Sequence, residues 1–316
     1  MRASDPVLEV FVSAGKLQPH REGPNATWIE PEGSEDDYLS WARGMISANR
    51  IDILIPTRKR SLLAGAGLEC RVEVPASSDI LTLLDDKFAF AARLEGEAYH
   101  LKTRLVSSAD ALAAAIASFA GSNPNGPAPC VKPRRGVNGQ GFWQLLRDGP
   151  MSHLDDPDNR MILDRLYLAA VAAAEEAGTF QELVLMEYLP GPEVSLDILA
   201  HQGALLKLAA RTKLASDVQR IQTGHFLASA ASDLVGRFGL HGVINAQFRQ
   251  ADDSSWKLLE INARPAGGIV YSEQVGCGLL ADWAALLTGR KRPEQISAAH
   301  IDTHIRLTTA ITQIAA

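Results

Sequence analysis

A pair of apolar segments carrying regularly spaced polar residues constrains the fold of this chain more than any other feature. Residues 256–262 (Trp-Lys-Leu-Leu-Glu-Ile-Asn) are mostly apolar but include Glu260 and Asn262, and residues 243–249 form a second strand-like segment. Alternate residues of a strand share a face, so Glu260, Asn262 and the following Arg264 should point the same way. The polar run between the two segments predicts a hairpin.

The hairpin also predicts a cation site. We expect Asn245 to lie opposite Glu260, with Gln247 diagonal to Glu260 at roughly 7–8 Å between backbones. The Glu260 carboxylate and the side-chain oxygens of Gln247 and Asn262 suit Mg²⁺ or Mn²⁺, and the guanidinium of Arg264 suits a phosphate. An ordinary hairpin with polar residues on its solvent-facing side is the alternative.

The composition is that of a globular protein and argues against several classes of partner. A chain of 316 residues with 46% hydrophobic residues can bury a core shared by two or three subdomains. The net charge of −6 and the lack of a long basic stretch argue against nucleic acid, and residues 58–60 (Arg-Lys-Arg) are interpreted as a solvated loop. The cysteines lack disulfide or metal spacing, and neither a signal peptide nor a membrane-length apolar run is found, so we expect a cytoplasmic protein without a membrane partner.

The order of predicted elements suggests three subdomains. Residues 1–84 contain short apolar strands around a helix, which predicts a small parallel α/β unit. Residues 85–186 contain helices and a strand–loop–strand unit, including a long helix predicted at 160–177. Residues 187–316 contain the hairpins and a final helix predicted at 272–288.

A glycine-rich loop follows a buried strand in the middle of the chain. Lys132 ends the strand, and Gly136, Gly139 and Gly141 follow it. Glycines let backbone N–H groups approach phosphate oxygens closely, and Lys132 supplies positive charge. Taken alone, such a loop is more often a surface hairpin, and Lys87 taken alone is an ordinary solvated lysine.

The combination of these motifs resembles the ATP-grasp superfamily, with its carboxylate–amine ligases and the ATP-binding domain of carbamoyl-phosphate synthetase. The resemblance runs from about residue 87 to residue 287 and includes Leu-Met-Glu-Tyr-Leu-Pro-Gly-Pro-Glu at 185–193. It implies an α/β (α+β) fold with a shortened N-terminal subdomain, a mobile lid and a C-terminal antiparallel sheet, with ATP between the last two.

The resemblance also implies a role for each group of polar residues. Two cations would hold the α- and β-phosphates beside the glycine-rich loop: Lys87 and Lys132. Adenine would lie in an apolar slot with backbone donors and acceptors, and a carboxylate would bind the ribose; these positions are Met186, Glu187, Tyr188, Leu189 and Leu259 for adenine and Glu193 for ribose. The metal would be held by Gln247, Glu260 and Asn262. The substrate end would be formed by Arg264, Arg211 and His225, with Lys132 also acting on the transferred phosphate.

The implied reaction is an ADP-forming ligation of small molecules. A carboxylate would attack the γ-phosphate to give an acyl phosphate, and an amine, or a thiol, would then displace phosphate. Gln247 favours an alternative, the carboxyphosphate chemistry of bicarbonate. A further alternative is a non-catalytic ATP-binding subunit with a regulatory or assembly role. The shortened N-terminus suggests that a homodimer partner or another subunit closes the substrate side of the cleft.

Overall fold

The computed structural model describes residues 7–16, 23–122, 126–136, 139–149, 151–298 and 300–308. The helices of these ranges are α1 (Glu35–Asn49), α2 (Arg60–Gly65), α3 (Ser78–Asp85), α4 (Lys87–Arg93), α5 (Ala109–Ser122), α6 (Ser152–Asp155), α7 (Asp164–Glu176), α8 (Ala228–Arg237), α9 (Ile269–Gln274) and α10 (Leu279–Leu287). The strands are β1 (Phe11–Ala14), β2 (Ala26–Ile29), β3 (Ile53–Leu54), β4 (Arg71–Val72), β5 (Thr103–Val106), β6 (Cys130–Pro133), β7 (Trp143–Leu146), β8 (Met161–Leu163), β9 (Leu183–Met186), β10 (Glu193–His201), β11 (Ala204–Lys213), β12 (Val218–Gln222), β13 (Gly242–Gln250), β14 (Trp256–Asn262) and β15 (Asp302–Arg306).

A six-stranded antiparallel sheet forms the C-terminal part, in the order β14-β13-β10-β11-β12-β15. Successive residues of each strand point alternately into two cores, as the two-residue period of a β-strand requires. Val194, Leu196 and Ile198 of β10 pack with α3, α4 and α8, while Leu199 packs with α10 on the other face. The predicted antiparallel sheet is confirmed. Strands β12 and β15 were not expected from the sequence.

A five-stranded mixed sheet forms the middle of the chain, in the order β5-β9-β6-β7-β8. Its neighbouring strands are antiparallel except for β7 and β8, which are parallel. One face packs against α5 and α7 through residues such as Leu112 and Val171. The other face buries Cys130, Val184 and Met186 in a cluster that also contains Leu259 of the six-stranded sheet. The two sheets therefore meet along this second face.

The N-terminal part contains two small parallel sheets where the sequence predicted one. Strand β1 pairs with β2, and β3 pairs with β4. Helix α1 and helix α2 cover β3 and β4 through Tyr38, Ala42 and Leu63. Helix α1, at 15 residues, is the longest of the described helices, and none of those helices has the length and apolarity of a membrane span.

Two predicted helices differ in the structure. The helix expected at 160–177 begins later, because its first apolar residues form β8 beside β7. The helix expected at 272–288 is two helices, α9 and α10, separated by Gly276 and Gly278 with φ of 88° and 64°. Those φ values lie in the left-handed region that glycine tolerates and an α-helix does not use.

The boundaries expected near residues 84 and 186 stay predictions. Helices α3 and α4 lie on either side of the first boundary, and both contribute to the core under the six-stranded sheet through Leu81, Leu84, Phe90 and Leu94. These helices therefore fix the position of Lys87, the first residue of α4, relative to that sheet.

Candidate active site

The predicted metal residues lie together on one face of the β13–β14 hairpin. Gln247 is directly opposite Glu260, and Asn245 is directly opposite Asn262. Directly opposed residues of an antiparallel pair point to the same face, so the expected shared face is present. Asn262 Nδ2 donates a hydrogen bond of 2.8 Å to Glu260 Oε1, which orients both side chains.

The register of this hairpin differs from the predicted one by two residues. We expected Asn245 opposite Glu260, but the connection between the strands is only five residues long, 251–255, and a β-bulge adds Leu259 to β14. The shorter connection and the bulge each shift the pairing by one residue. A shift of one residue would turn the side chains to the opposite face, and the second shift turns them back, so the polar residues stay on one face. The bulge also brings Leu259 into the cluster with Met186.

Asn245 lies on the same face as the predicted metal residues but is part of a buried polar network, whereas Gln247, Glu260 and Asn262 are partly exposed. It is fully buried, and its Nδ2 donates to Asp197 Oδ1 at 2.9 Å and to the Leu196 carbonyl at 3.1 Å. Asp197 also accepts from Arg211 Nε at 2.7 Å and from Ser272 Oγ at 2.7 Å. The network therefore supports the sheet behind Gln247, Glu260 and Asn262.

The two predicted phosphate cations are near enough for their charges to interact, and Lys87 also interacts electrostatically with Glu260. Lys87 Nζ donates to the Gly136 carbonyl at 2.9 Å, so α4 contacts the glycine-rich loop. Burial lowers the pKa of Lys87; the Glu260 carboxylate opposes this shift, and the Lys132 ammonium adds to it. Lys132 Nζ also lies 5.5 Å from the centre of the Phe142 ring. Residues from three separate parts of the sequence thus form one cluster.

The base of the glycine-rich loop is anchored by an ion-pair network that the sequence did not predict. Arg134 binds the buried Asp86 carboxylate at 2.7 Å and Glu182 Oε2 at 2.7 Å. Burial raises the pKa of Asp86, but the hydrogen bonds from Arg134 and from the Ala89 backbone outweigh it, so the net pKa is lowered. Because Asp86 also caps α4, this network fixes the position of Lys87 relative to Lys132. Within the predicted lid, Val137 and Asn138 lie outside the described residues.

The predicted adenine slot has apolar walls from both sheets. Met186, Leu189 and Leu259 belong to one cluster, with the Tyr188 side chain beside them. Strand β9 ends at Met186, so the peptide groups of residues 187–189 lie outside the ladder of the sheet. Cys130 Sγ donates to the Glu187 carbonyl at 3.6 Å. Burial raises the pKa of Glu187, and the nearby Asp253 adds to that shift.

The predicted ribose ligand, Glu193, lies at the start of β10, where it forms an ion pair of 2.7 Å with Lys213. The side chain of Lys213 is 51% exposed and that of Glu193 is 19% exposed, so the pair lies at the edge of the protein surface. The register partner of Glu193 on β13 is Arg249, whose guanidinium lies 5.4 Å from the centre of the Tyr188 ring.

Comparisons with known proteins agree with this architecture. Residues 179–311 match a family model described as ATP-grasp in the biosynthetic pathway with Ter operon. No curated protein sequence matches the chain significantly. Among solved structures, biotin carboxylase from Campylobacter jejuni, in complex with β-γ-ATP, superposes with a TM-score of 0.61 and 14% sequence identity over 89% of this chain. The chain has the ATP-grasp fold.

Other ATP-grasp structures give the same result. L-amino acid ligase from Bacillus licheniformis has a TM-score of 0.57 and 13% identity over 87% of this chain, and N5-carboxyaminoimidazole synthetase from Staphylococcus aureus, complexed with ADP, has 0.57 and 15% over 84%. The chain spans 65% of the length of the biotin carboxylase and of the ligase, and 67% of the synthetase. The predicted fold class and the resemblance are confirmed.

Arg264 lies where β14 ends, and its Nη1 donates to the Pro265 carbonyl at 3.3 Å. The carbonyl of the preceding Ala263 accepts a 2.9 Å hydrogen bond from Arg60 Nη1, and Arg60 also binds Asp85 at 3.2 Å. The interpretation of residues 58–60 as a solvated loop is therefore wrong for Arg60. Arg60 starts α2 and positions the segment that carries Arg264.

Arg211 and His225, the other predicted substrate-end residues, make contacts of a structural kind. Arg211 is only 4% exposed and is held by Asp197, and its guanidinium lies under the backbone of Gly268, where a Cβ atom would be 2.3 Å from Nη1. His225 Nδ1 accepts from the Leu227 backbone at 3.3 Å, near the start of α8. Burial lowers the pKa of His225, and the charge of Arg220 adds to that shift.

Proposed function

We propose that this protein is an ADP-forming ligase that activates a small carboxylate with ATP and transfers the acyl group to an amine. The observation that carries this proposal is the cluster of Lys87, Lys132 and Glu260, which joins the glycine-rich loop to the polar face of the β13–β14 hairpin. Two ammonium groups beside a carboxylate and amide oxygens suit a nucleoside triphosphate with its bound cation.

We infer that ATP lies along the cleft between the two sheets. Adenine would occupy the slot formed by Met186, Leu189 and Leu259, with the peptide groups of Glu187 and Tyr188 as donors and acceptors. The ribose hydroxyls would replace Lys213 as partners of Glu193. From there the triphosphate would reach Lys87 and Lys132, with backbone N–H groups near Gly136, Gly139 and Gly141 around it.

The donor set of the hairpin fits Mg²⁺ or Mn²⁺ held jointly with phosphates. Glu260 supplies a carboxylate, and Gln247 and Asn262 supply amide oxygens beside it. In the described part of the chain no three His, Cys, Asp or Glu residues gather into a metal-binding group. Because Mg²⁺ is commonly held by one or two carboxylates plus substrate phosphates, we expect weak metal binding without nucleotide. When bound, the ion would neutralise charge on the transferred phosphoryl group.

The residues of this chain would act by positioning and charge neutralisation. A carboxylate oxygen of the substrate attacks the γ-phosphorus, the bond to the β-phosphate oxygen breaks, and ADP leaves with the electron pair. Lys132 and Arg264 would stabilise the charge of the phosphoryl group during transfer. A side-chain nucleophile is not required for this chemistry.

Substitution of Glu260 tests the proposal. Glu260→Gln removes the single carboxylate of the proposed donor set, so Mg²⁺-dependent ADP release should fall by on the order of 100-fold while the protein stays folded. Glu294→Gln, an exposed carboxylate outside the hairpin, is the matched control and should have no effect. Undiminished ADP release by Glu260→Gln would show that the hairpin is not the metal site.

Gln247→Glu is the complementary variant, and it also bears on the bicarbonate alternative. A second carboxylate opposite Glu260 should keep metal binding and tighten it. ADP release should be measured separately with organic acids, amino acids and bicarbonate as the carboxylate. Release with bicarbonate alone would favour carboxyphosphate chemistry, and tight ATP binding without release under any condition would favour a non-catalytic subunit.

A further inference from the structure

A second cleft opens at the far end of the six-stranded sheet from Glu193. Its volume is about 380 Å³, within the size range of small-molecule sites. Ala200, which lines it, is seven residues from Glu193 along β10, or about 23 Å at 3.3 Å per residue. The lining residues come from β4 and the residue after Val72, from the end of β10 and the turn that follows it, from the residue before β13 and from α10: Arg71, Glu73, Ala200, His201, Gln202, His241, Trp283, Leu286 and Leu287.

This cleft adjoins the position of Arg264. A small cavity of about 20 Å³, room for one water-sized group, is lined by Arg264 and by residues that follow β3 and β4. Glu73, His241 and Trp283 line both the small cavity and the larger cleft. The small cavity therefore lies between the cleft and the residue that we assign to the transferred phosphoryl group.

The polar groups shared by the two cavities present a fixed carboxylate. His241 Nδ1 accepts from the Gln202 backbone at 3.2 Å, so the ring proton is on Nε2, which donates to Glu73 Oε2 at 3.1 Å. Arg71 Nε holds the other oxygen, Glu73 Oε1, at 2.6 Å. A carboxylate has about four lone-pair sites, so Glu73 can accept a further hydrogen bond from a ligand ammonium.

Two residues of the same lining carry a polar nitrogen that lacks a partner. Within the described residues, Trp283 Nε1 and His201 Nδ1 are buried and make no hydrogen bond. Trp283 is only 7% exposed, so its indole N–H is not satisfied by bulk water. A buried donor without an acceptor is unfavourable, and an oxygen of a bound ligand would remove that penalty. The remaining walls, Leu286 and Leu287, suit an apolar side chain.

We propose that this cleft binds the amine acceptor of the ligation and that the acceptor is an amino acid or a short peptide. Its ammonium enters the small cavity at Glu73, facing Arg264, and its carboxylate or carbonyl oxygen meets Trp283 Nε1 and His201. Glu73 takes one proton from the ammonium; the nitrogen lone pair then forms the C–N bond, the C–O bond to phosphate breaks, and the second proton leaves with the phosphate. This inference rests on the proposed ligase function.

Hydroxylamine separates the acceptor cleft from the activation step. Hydroxylamine is small enough to attack an acyl phosphate without the cleft, giving a hydroxamate. Glu73→Gln, and Leu286→Trp which fills the cleft, should raise KM for amino-acid acceptors by about tenfold or more, while hydroxamate formation stays within about twofold of wild type. Glu69→Gln, an exposed carboxylate that does not line the cleft, should leave both activities unchanged.

Three results would overturn the assignment of the cleft. These are an unchanged KM in both variants, an equal loss of hydroxamate and amide formation, and an ammonium chloride reaction as efficient as that with amino acids. If wild type forms no hydroxamate with any carboxylate, the proposed function fails instead. Ligand-observed NMR with the proteinogenic amino acids then tests the assignment of the cleft independently of turnover. Binding that Leu286→Trp abolishes would support the assignment, and a lack of binding to wild type would overturn it.

Discussion

The ion pair of Arg211 and Asp197 allows a structural role and a catalytic role of Arg211 to be distinguished. Arg211 is 4% exposed and Asp197 is fully buried, with donor–acceptor distances of 2.7 and 3.1 Å between them. Asp197 also accepts from Asn245 and Ser272, and Arg211 donates to Gln219 at 3.2 Å. These contacts predict that Arg211 stabilises the fold and is dispensable for chemistry.

The expected loss of folding stability depends on which buried charge is left without a partner. Arg211→Met leaves the Asp197 carboxylate buried and unpaired, and Asp197→Leu leaves the guanidinium in the same state, so each should destabilise by about 3–5 kcal/mol. The double variant removes both charges, and its main remaining cost is the lost partner of Ser272 and of Gln219, about 1–3 kcal/mol each. The two single losses add up to about 6–10 kcal/mol. The double variant should lose several kcal/mol less than this sum.

Urea unfolding followed by circular dichroism gives the three free energies, and ADP release gives the activity of each folded variant. A double variant that is destabilised by the full sum would refute the coupling of the two charges. A double variant that is well folded but releases no ADP would refute the structural interpretation, and Arg211 would then act in catalysis as the sequence suggested.

Three further predictions concern stability and reactivity. Asp86→Asn should destabilise the protein by about 1.5–3 kcal/mol at neutral pH, because the charged hydrogen bond to Arg134 is lost. Folding lowers the pKa of Asp86, so this difference in stability is present above the unfolded pKa of about 3.9 and should shrink as the pH falls below it. Urea titrations of both proteins at several pH values would show the change. Gly268→Ala places a methyl group 2.3 Å from Arg211 Nη1 and should destabilise by about 1–3 kcal/mol in thermal unfolding, and an unchanged melting temperature would contradict the packing described. Cys130, whose pKa burial raises to about 12, should resist iodoacetamide at pH 8 until the protein is denatured, as mass spectrometry of the modified peptide would report.

The residues of the site could be predicted from the sequence where the information is local. Glu260 and Asn262 share a face because strand residues alternate, and that rule needs no knowledge of the partner strand. The register could not be predicted, because it depends on the bulge at Leu259 and on the length of the turn, which are properties of two strands together.

Tertiary ion pairs were the features that the sequence could not provide. Arg134 and Asp86 are 48 positions apart, and Arg60 and the Ala263 carbonyl are 203 positions apart. Nothing in the local pattern around Arg60 distinguishes a residue that supports the end of β14 from a solvated arginine. Strands β12 and β15 were missed because they are short and rich in polar residues, as in Val-Gln-Arg-Ile-Gln, and such a composition is also that of a surface loop.

The hydrogen bond from Lys87 Nζ to the Gly136 carbonyl uses one of the three N–H donors of the ammonium and leaves two for other partners. Under the proposed function, a phosphate that accepts from those two donors would share Lys87 with the backbone of the glycine-rich loop. Binding of the nucleotide and the position of Gly136 would then be coupled, and the coupling would be reciprocal, as all linked equilibria are. A change that holds the Gly136 carbonyl on Lys87 would also hold the ammonium in place for the phosphate.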